Sequence, residues 1–285
     1  MTRGIGNVSY VRQGSEVVVQ GDYASNWKFL YTASVVKSEK WNVGDRVVTP
    51  DGRAFRYAKA GGVCAPEFGA YNPLPTIVNA VAPAQSVIQT PIQGLVVVAG
   101  TLDANVVTIT KGATAGVNAD GVLALDELRG GYIVVGNGAN QHPQNRGIVG
   151  NPASVAGAAS LDVYLDAPLT AAVTVGTTNI ETMLNPYEFL KADQSATAFM
   201  TFLGLPVVSA TLGQYFWVQT WGPLWVTSDN NTGKIAGGRD VLFAANGSLV
   251  SMNATYACLQ RAGVGMDSNL GAASNAPMVM LQITP

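Results

Sequence analysis

The sequence predicts a mainly β protein, built of β-sandwich or β-barrel domains with an extended N-terminal arm and little helix. Three observations carry that prediction. Short runs of β-branched and aromatic residues recur at close spacing from Leu95 onward. Glycine, asparagine and aspartate turns fall between them, as at Asp103-Ala104-Asn105, Asp120-Gly121 and Gly130-Gly131. Helical periodicity is confined to one stretch, which a proline interrupts. At 285 residues the chain can bury a substantial core without staples. Only 12% of its residues are charged, beside 48% hydrophobic ones and 32 glycines, so much of the outer surface is expected to meet other protein, in an oligomer or a lattice.

From Tyr10 to Lys37 the pattern is irregular and studded with Tyr10, Tyr23, Trp27, Phe29 and Tyr31. Aromatic anchors without strong periodicity read as an arm that docks, on this chain or on a neighbour. Next, Asp51-Gly52 between Val47-Val48 and Phe55 to Tyr57 marks a hairpin, because glycine takes positive φ at no steric cost. Arg53 and Lys59 continue the face of Phe55 and Tyr57, which reads as a solvated basic edge. Prolines at 66, 73, 75, 83 and 91 suit an extended connector or a short helix around Ile77 to Ala82, not a central strand. The chain is therefore divided into an arm and hairpin region with its connector (1–90), a middle β domain (91–192) and a C-terminal β domain (193–285).

In the middle region strands are expected at Leu95 to Val98, Val106 to Thr110, Val122 to Leu125, Tyr132 to Val135, Leu161 to Leu165 and Ala172 to Val175. Gly136 to Ala159 is polar and glycine-rich and reads as a long loop, with His142 near its middle. Thr178 to Lys191 is the helical candidate, shortened by Pro186.

The C-terminal region is organised around Leu203 to Trp225. On a strand register Tyr215, Trp217, Gln219 and Trp221 point one way and Phe216, Val218 and Thr220 the other, so both faces carry aromatic surface. Tyr215, Trp217, Trp221 and Trp225 are the candidate core or interface residues of this stretch. Gly222-Pro223 reads as the turn of a hairpin that restarts at Leu224. Strands follow at Val241 to Phe243, Leu249 to Met252, Tyr256 to Leu259 and Met278 to Ile283; the weak alternation of the last suggests burial on both faces.

Chemistry is hard to place in this sequence. Asp162 and Asp166 share a strand face but stand roughly 13 Å apart by strand rise, too far for direct hydrogen bonding or an inverting hydrolytic pair. Asp126-Glu127 reads as solvated turn acids, and His142 has no partner nearby in sequence. No glycine loop stands before a helix to cradle phosphate. One histidine and no Cys-x-x-Cys argue against zinc, and Cys64 and Cys258 read as two separate buried or semi-buried thiols. The expectation is no catalytic residue, no cofactor and no metal. A net charge of −2 argues against nucleic acid, and the lack of a long apolar run argues against a membrane partner. The start, MTRGIGNVSYV, lacks the apolar centre of a signal peptide, and the four N-x-S/T sequons would matter only in a secretory pathway. Trp217, Trp221 and Trp225 recur every four residues; exposed, such indoles could stack on sugars.

Three stretches carry a resemblance to a family. VGDRVVTPDGRAFRYAKAGG (Val43 to Gly62), GLPVVSATLGQYFWVQTWGP (Gly204 to Pro223) and PMVMLQITP (Pro277 to Pro285) are similar, in this order, to a class of virion structural proteins of tailed bacteriophages from aquatic sources. LDEL, GGYIVVGN and LDVYLDAPL resemble the middle of that family, so the likeness runs from about residue 41 to the end. It implies a capsid decoration or cement protein, assembled as a homotrimer on the outside of the head, with the major capsid protein as partner. Tyr10, Tyr23, Trp27, Phe29 and Tyr31 then become candidate capsid or inter-subunit contacts. The alternative is a tail- or fibre-associated protein that binds carbohydrate on the host surface.

Overall fold

The computed structural model describes residues 9–13, 16–20, 27–66, 68–73, 95–111, 115–116, 120–136, 144–171, 173, 179–193, 200–226, 239–252, 259–266 and 278–284. The described chain is mainly β, with one short 3-10 helix, Trp27–Tyr31. It divides into two compact units, one made of Met1–Pro73 with Tyr187–Pro285 and the other of Leu74–Pro186. The N-terminal and C-terminal segments, separate in the sequence-based division, thus build one unit together.

The second unit is a closed antiparallel barrel. Its strands are β6 (Leu95–Ala99), β7 (Val106–Thr110), β8 (Tyr132–Val135), β9 (Gln144–Gly150), β10 (Ser160–Leu165) and β11 (Asn179–Met183), joined in the order β10-β7-β6-β11-β8-β9. Alternation dictates the inside: Val107, Ile109, Ile133, Val135, Leu161, Val163 and Leu165 are buried while their neighbours are not. Polar side chains complete the loops around it. Asn151 is fully buried, its Oδ1 accepting from the Leu128 amide at 2.8 Å and its Nδ2 donating to the carbonyls of Ala124 and Pro152.

Three sequence-based expectations fail in this unit. Gln144–Gly150, expected within a loop, is β9: pairing to β8 and β10 makes the strand, since its apolar signal is reduced to Ile148 and Val149. Thr178 lies outside the described residues, and 179–191 is not a helix; Asn179–Met183 is β11 and Leu190–Ala192 a strand of the other unit, because pairing overrides a weak helical period that Pro186 had already broken. Val122 to Leu125 contributes a single bridge, Leu123 to Ser154, before a turn in which Asp126 has φ 60°. Ala172, Thr174 and Val175 of the expected last strand, Ile77 to Ala82, and His142 lie outside the described residues.

The first unit holds twelve strands among its described residues. They are β1 (Ser9–Gln13), β2 (Glu16–Gln20), β3 (Arg46–Val48), β4 (Ala54–Cys64), β5 (Ala70–Tyr71), β12 (Leu190–Ala192), β13 (Phe202–Pro206), β14 (Tyr215–Trp225), β15 (Asp240–Phe243), β16 (Leu249–Ser251), β17 (Arg261–Gly265) and β18 (Met278–Gln282). The predicted hairpin is β3–β4: Thr49 and Arg53 close the turn through Thr49 N to Arg53 O at 2.9 Å, with Gly52 at φ 84°. Its outer strand is no solvated edge, because β4 also pairs with β14 and β12. Accordingly Lys59 meets Glu188 at 2.8 Å, and Arg53 meets Asp51 at 2.7 Å and donates to the Tyr31 hydroxyl at 2.8 Å.

Pairings β4–β12, β12–β5, β5–β13, β13–β14 and β14–β4 close a small ring. Small side chains line it: Ala58, Ala60, Cys64, Ala70 and Ala192 pack with Phe216 and Val218. Beyond the ring β14 continues and changes partner. Its first half pairs with β4 and its second half, Trp221 to Trp225, with β18. Gly222-Pro223 is therefore no hairpin turn but a kink inside one strand of 11 residues. Gly222 sits at φ 94°, and a Cβ there would stand 2.9 Å from the Arg53 Cα. Gln219 holds the kink, its Nε2 donating to the carbonyls of Trp221, Gly222 and Pro223 at 3.0–3.2 Å.

Candidate interaction surfaces

The aromatic residues of the N-terminal stretch divide. Tyr10 lies on β1, and Tyr23 lies outside the described residues. Trp27, Phe29 and Tyr31 all lie on the 3-10 helix, which docks on its own chain: Leu30 is fully buried, and Phe29 stacks on Trp41 at 5.7 Å and meets Trp217 edge-on at 5.7 Å. Trp41 meets Trp217 at 5.1 Å, and Tyr57 stacks on Tyr215. This cluster covers the Tyr215 and Trp217 face of β14, while the Phe216 and Val218 face lines the ring. Trp217 is core on both counts, at 2% exposure, so the row of three exposed indoles that would stack on a sugar does not form.

The docked helix ends in an exposed tip. Ser34 exchanges backbone hydrogen bonds with Tyr215 at 2.7 and 2.9 Å, and its Oγ accepts from the Val36 amide at 3.1 Å. That fixed turn holds Val35 and Val36 in solvent at 73% and 71% exposure. A second fixed turn does the same for Leu212, with the Thr211 amide donating to Gln214 Oε1 at 2.8 Å.

A larger apolar surface covers the sheet formed by β14, β18, β17, β15 and β16. Val279, Leu281, Val241, Phe243 and Leu249 point to one side and pack with Tyr71, Phe202 and Leu205 as a dry core. The other side is apolar as well. At its end Trp225 pairs with Met278, and the Met266 amide donates to the Met278 carbonyl at 2.8 Å, which places three exposed side chains in one row across three strands. One pleat back, Pro223 pairs with Met280, Met280 with Val264, and Val264 with Asp240, where Met252 joins through its amide. Trp225, Met266, Met252 and Met278 are 57%, 52%, 44% and 38% exposed. Among the described residues only a corner is covered, where Leu259 packs on Leu242 and Val250. The expectation that the last strand is buried on both faces is thus corrected: Met278 is exposed and Met280 half-buried, because nothing described packs on that face.

No protein-family model, no curated protein and no solved structure matches the chain. Asp162 Oδ1 accepts from the Thr108 hydroxyl at 2.6 Å, beside an open cleft of about 290 Å³ that Ser154, Val155 and Ser160 also line. Asp166 accepts instead from the Gly147 amide at 3.0 Å, and Glu127 from the Ala124 amide at 2.7 Å, so each of these acids holds backbone. Asp126 meets Arg129 at 3.5 Å on the surface. Among the described residues no three of His, Cys, Asp and Glu come together in a metal-binding group. Cys64 is a free, buried thiol whose Sγ donates to the Leu190 carbonyl at 3.3 Å, and burial pushes its pKa up to about 12. Cys258 lies outside the described residues.

The sequence pointed to Trp221 and Trp225 but not to the methionines beside them. Four of the chain's seven methionines share that sheet face, and they come from three separate segments of sequence. The available signal was the period-2 spacing of Met278 and Met280, which places both on one side of a strand.

Proposed function

We propose that this protein is a non-enzymatic structural component of a virus particle, a decoration or cement protein that binds the outside of a tailed-phage head and stabilises contacts between capsomers. Its partners are the major capsid protein and other copies of itself. The observation that carries the reading is that one unit bears two separate apolar surfaces, the Val35-Val36 tip and the Trp225 sheet face. A protein that bridges neighbours needs two contact regions, and modest affinity at each is amplified over many copies. Low charge and the order of the three sequence stretches that resemble virion proteins support it further. The aromatic N-terminal residues enter this reading in a changed role: Phe29 and Leu30 anchor the helix internally, and the shell contact passes to the tip that the helix positions.

The test is rebinding to heads from which the protein has been removed. Parent protein is expected to rebind and to restore resistance to heat and osmotic shock, and Val35→Asp/Val36→Asp to rebind at least tenfold more weakly. Stripped heads that keep full resistance and fail to take the protein up would sink the proposal. A particle reconstruction with the density confined to the tail would promote host-surface binding in its place.

A further inference from the structure

We propose that the Trp225 and methionine face of the β14–β18–β17–β15–β16 sheet is a self-association surface, covered in solution by the same face of a second copy of this chain. A sheet buries both faces when a second layer stacks about 10 Å away. Here one face has such a layer from the chain itself, and the other has none among the described residues. The uncovered side chains leave on the order of 500 Å² of apolar surface, which is the apolar share of the ~800 Å² that each partner gives to a standard interface.

Charge decides which partner fits. The described charged groups on the face are Asp240 of β15 and Arg261 of the neighbouring β17, and they neutralise each other at 2.8 Å. Among the described residues the face therefore offers no net charge to a charged partner, and no unpaired charge that two copies would bring into repulsion. Methionine suits the contact, since an unbranched thioether side chain re-packs to fit its own image across a two-fold axis. Trp225, the most exposed of the group, has the size and rigidity of a central anchor. A sheet face of this kind would meet its copy sheet on sheet. That is a different association from the threefold one implied by the resemblance; it uses the Trp225 face that the particle reading also counts, and it is read in solution, in the absence of heads.

Two measurements on the full chain test it. Sedimentation from 1 to 100 µM should show a reversible dimer, and Trp225→Glu/Met278→Glu should weaken it at least a hundredfold, whereas Leu212→Glu, at a still more exposed turn, should leave it unchanged. Hydrogen peroxide footprinting adds a readout independent of any variant. Peroxide transfers one oxygen to the thioether sulfur and leaves as water. Met252, Met266 and Met278 should oxidise several-fold more slowly in concentrated than in dilute protein, while Met183, 42% exposed on the barrel, should oxidise at the same rate in both. A chain that stays monomeric at 100 µM overturns the inference. So does an oligomer, of two or three copies, in which those three methionines react as fast as Met183. Loss of head binding with the dimer intact would instead count against the particle reading alone.

Discussion

Single residues in this protein act through what they leave no room for. Cys64 sits among alanines in the ring closed by β4 and β14, where burial holds its thiol neutral. An unfolded thiol ionises near 9.0 and the folded one near 12. The stability that depends on keeping the thiol protonated is thus complete below pH 9 and is lost as pH rises from 9 towards 12. Thermal melts from pH 8 to 11 should show the parent losing stability more steeply than Cys64→Ala over that range. Equal slopes would mean that the sulfur is hydrated in the folded state. The sequence reads Cys64 as a buried or semi-buried thiol, and it is buried; what local sequence does not show is the cause, since burial comes from Leu190 and Ala192, more than 120 residues away.

At the scale of elements, local pattern and pairing each specify part of the result. Val106–Thr110 and Tyr132–Val135 have the bounds expected from β-branched runs, because a half-buried strand writes its alternation into its own sequence. β9 and β11 do not, because partners supply the order that their composition lacks. The kink in β14 is instructive for the same reason. Gly222-Pro223 is a turn signal, and the chain does bend there, but Gln219 clasps the bend and the strand runs on. Gly222 and Gly52 both have positive φ, at 94° and 84°, yet a Cβ at Gly52 would meet open space and one at Gly222 would press on the backbone of Arg53. Gly52→Ala should cost about 1–2 kcal/mol from φ alone. Gly222→Ala should cost more, about 3 kcal/mol or beyond, as two paired strands must part. Urea unfolding of the two variants compares them directly, and equal costs would show that the kink relaxes.

In the whole molecule the interaction surfaces were less legible than the fold. Trp221 and Trp225 drew attention by type, but their exposure depends on what packs above a sheet whose strands span Trp221 to Gln282. No local pattern encodes that. The division into units follows a plain geometric fact instead: the ends of the first unit meet, since Asn72 Nδ2 donates to the Glu188 carbonyl at 2.9 Å and Tyr71 pairs with Lys191. Replacing 74–186 with a short glycine linker should therefore leave the first unit folded, with the Trp217 aromatic cluster and its near-ultraviolet dichroism retained. A collapsed spectrum would show that the first unit cannot hold its ends together alone.

The same layout imposes an order in time. β4 ends at Cys64 and its partner β14 begins at Tyr215, so during synthesis about 150 residues, a barrel's worth of chain among them, must emerge before the two can pair. At cellular elongation rates that interval is on the order of 10 s. Throughout it Phe55 and Tyr57 lack Trp217, the C-terminal member of their aromatic cluster, and the nascent chain carries β4 without the β14 it pairs with. The half-made protein is thus more exposed to misassembly than the finished one, and its yield should depend on how fast it is translated and on which chaperones meet it first.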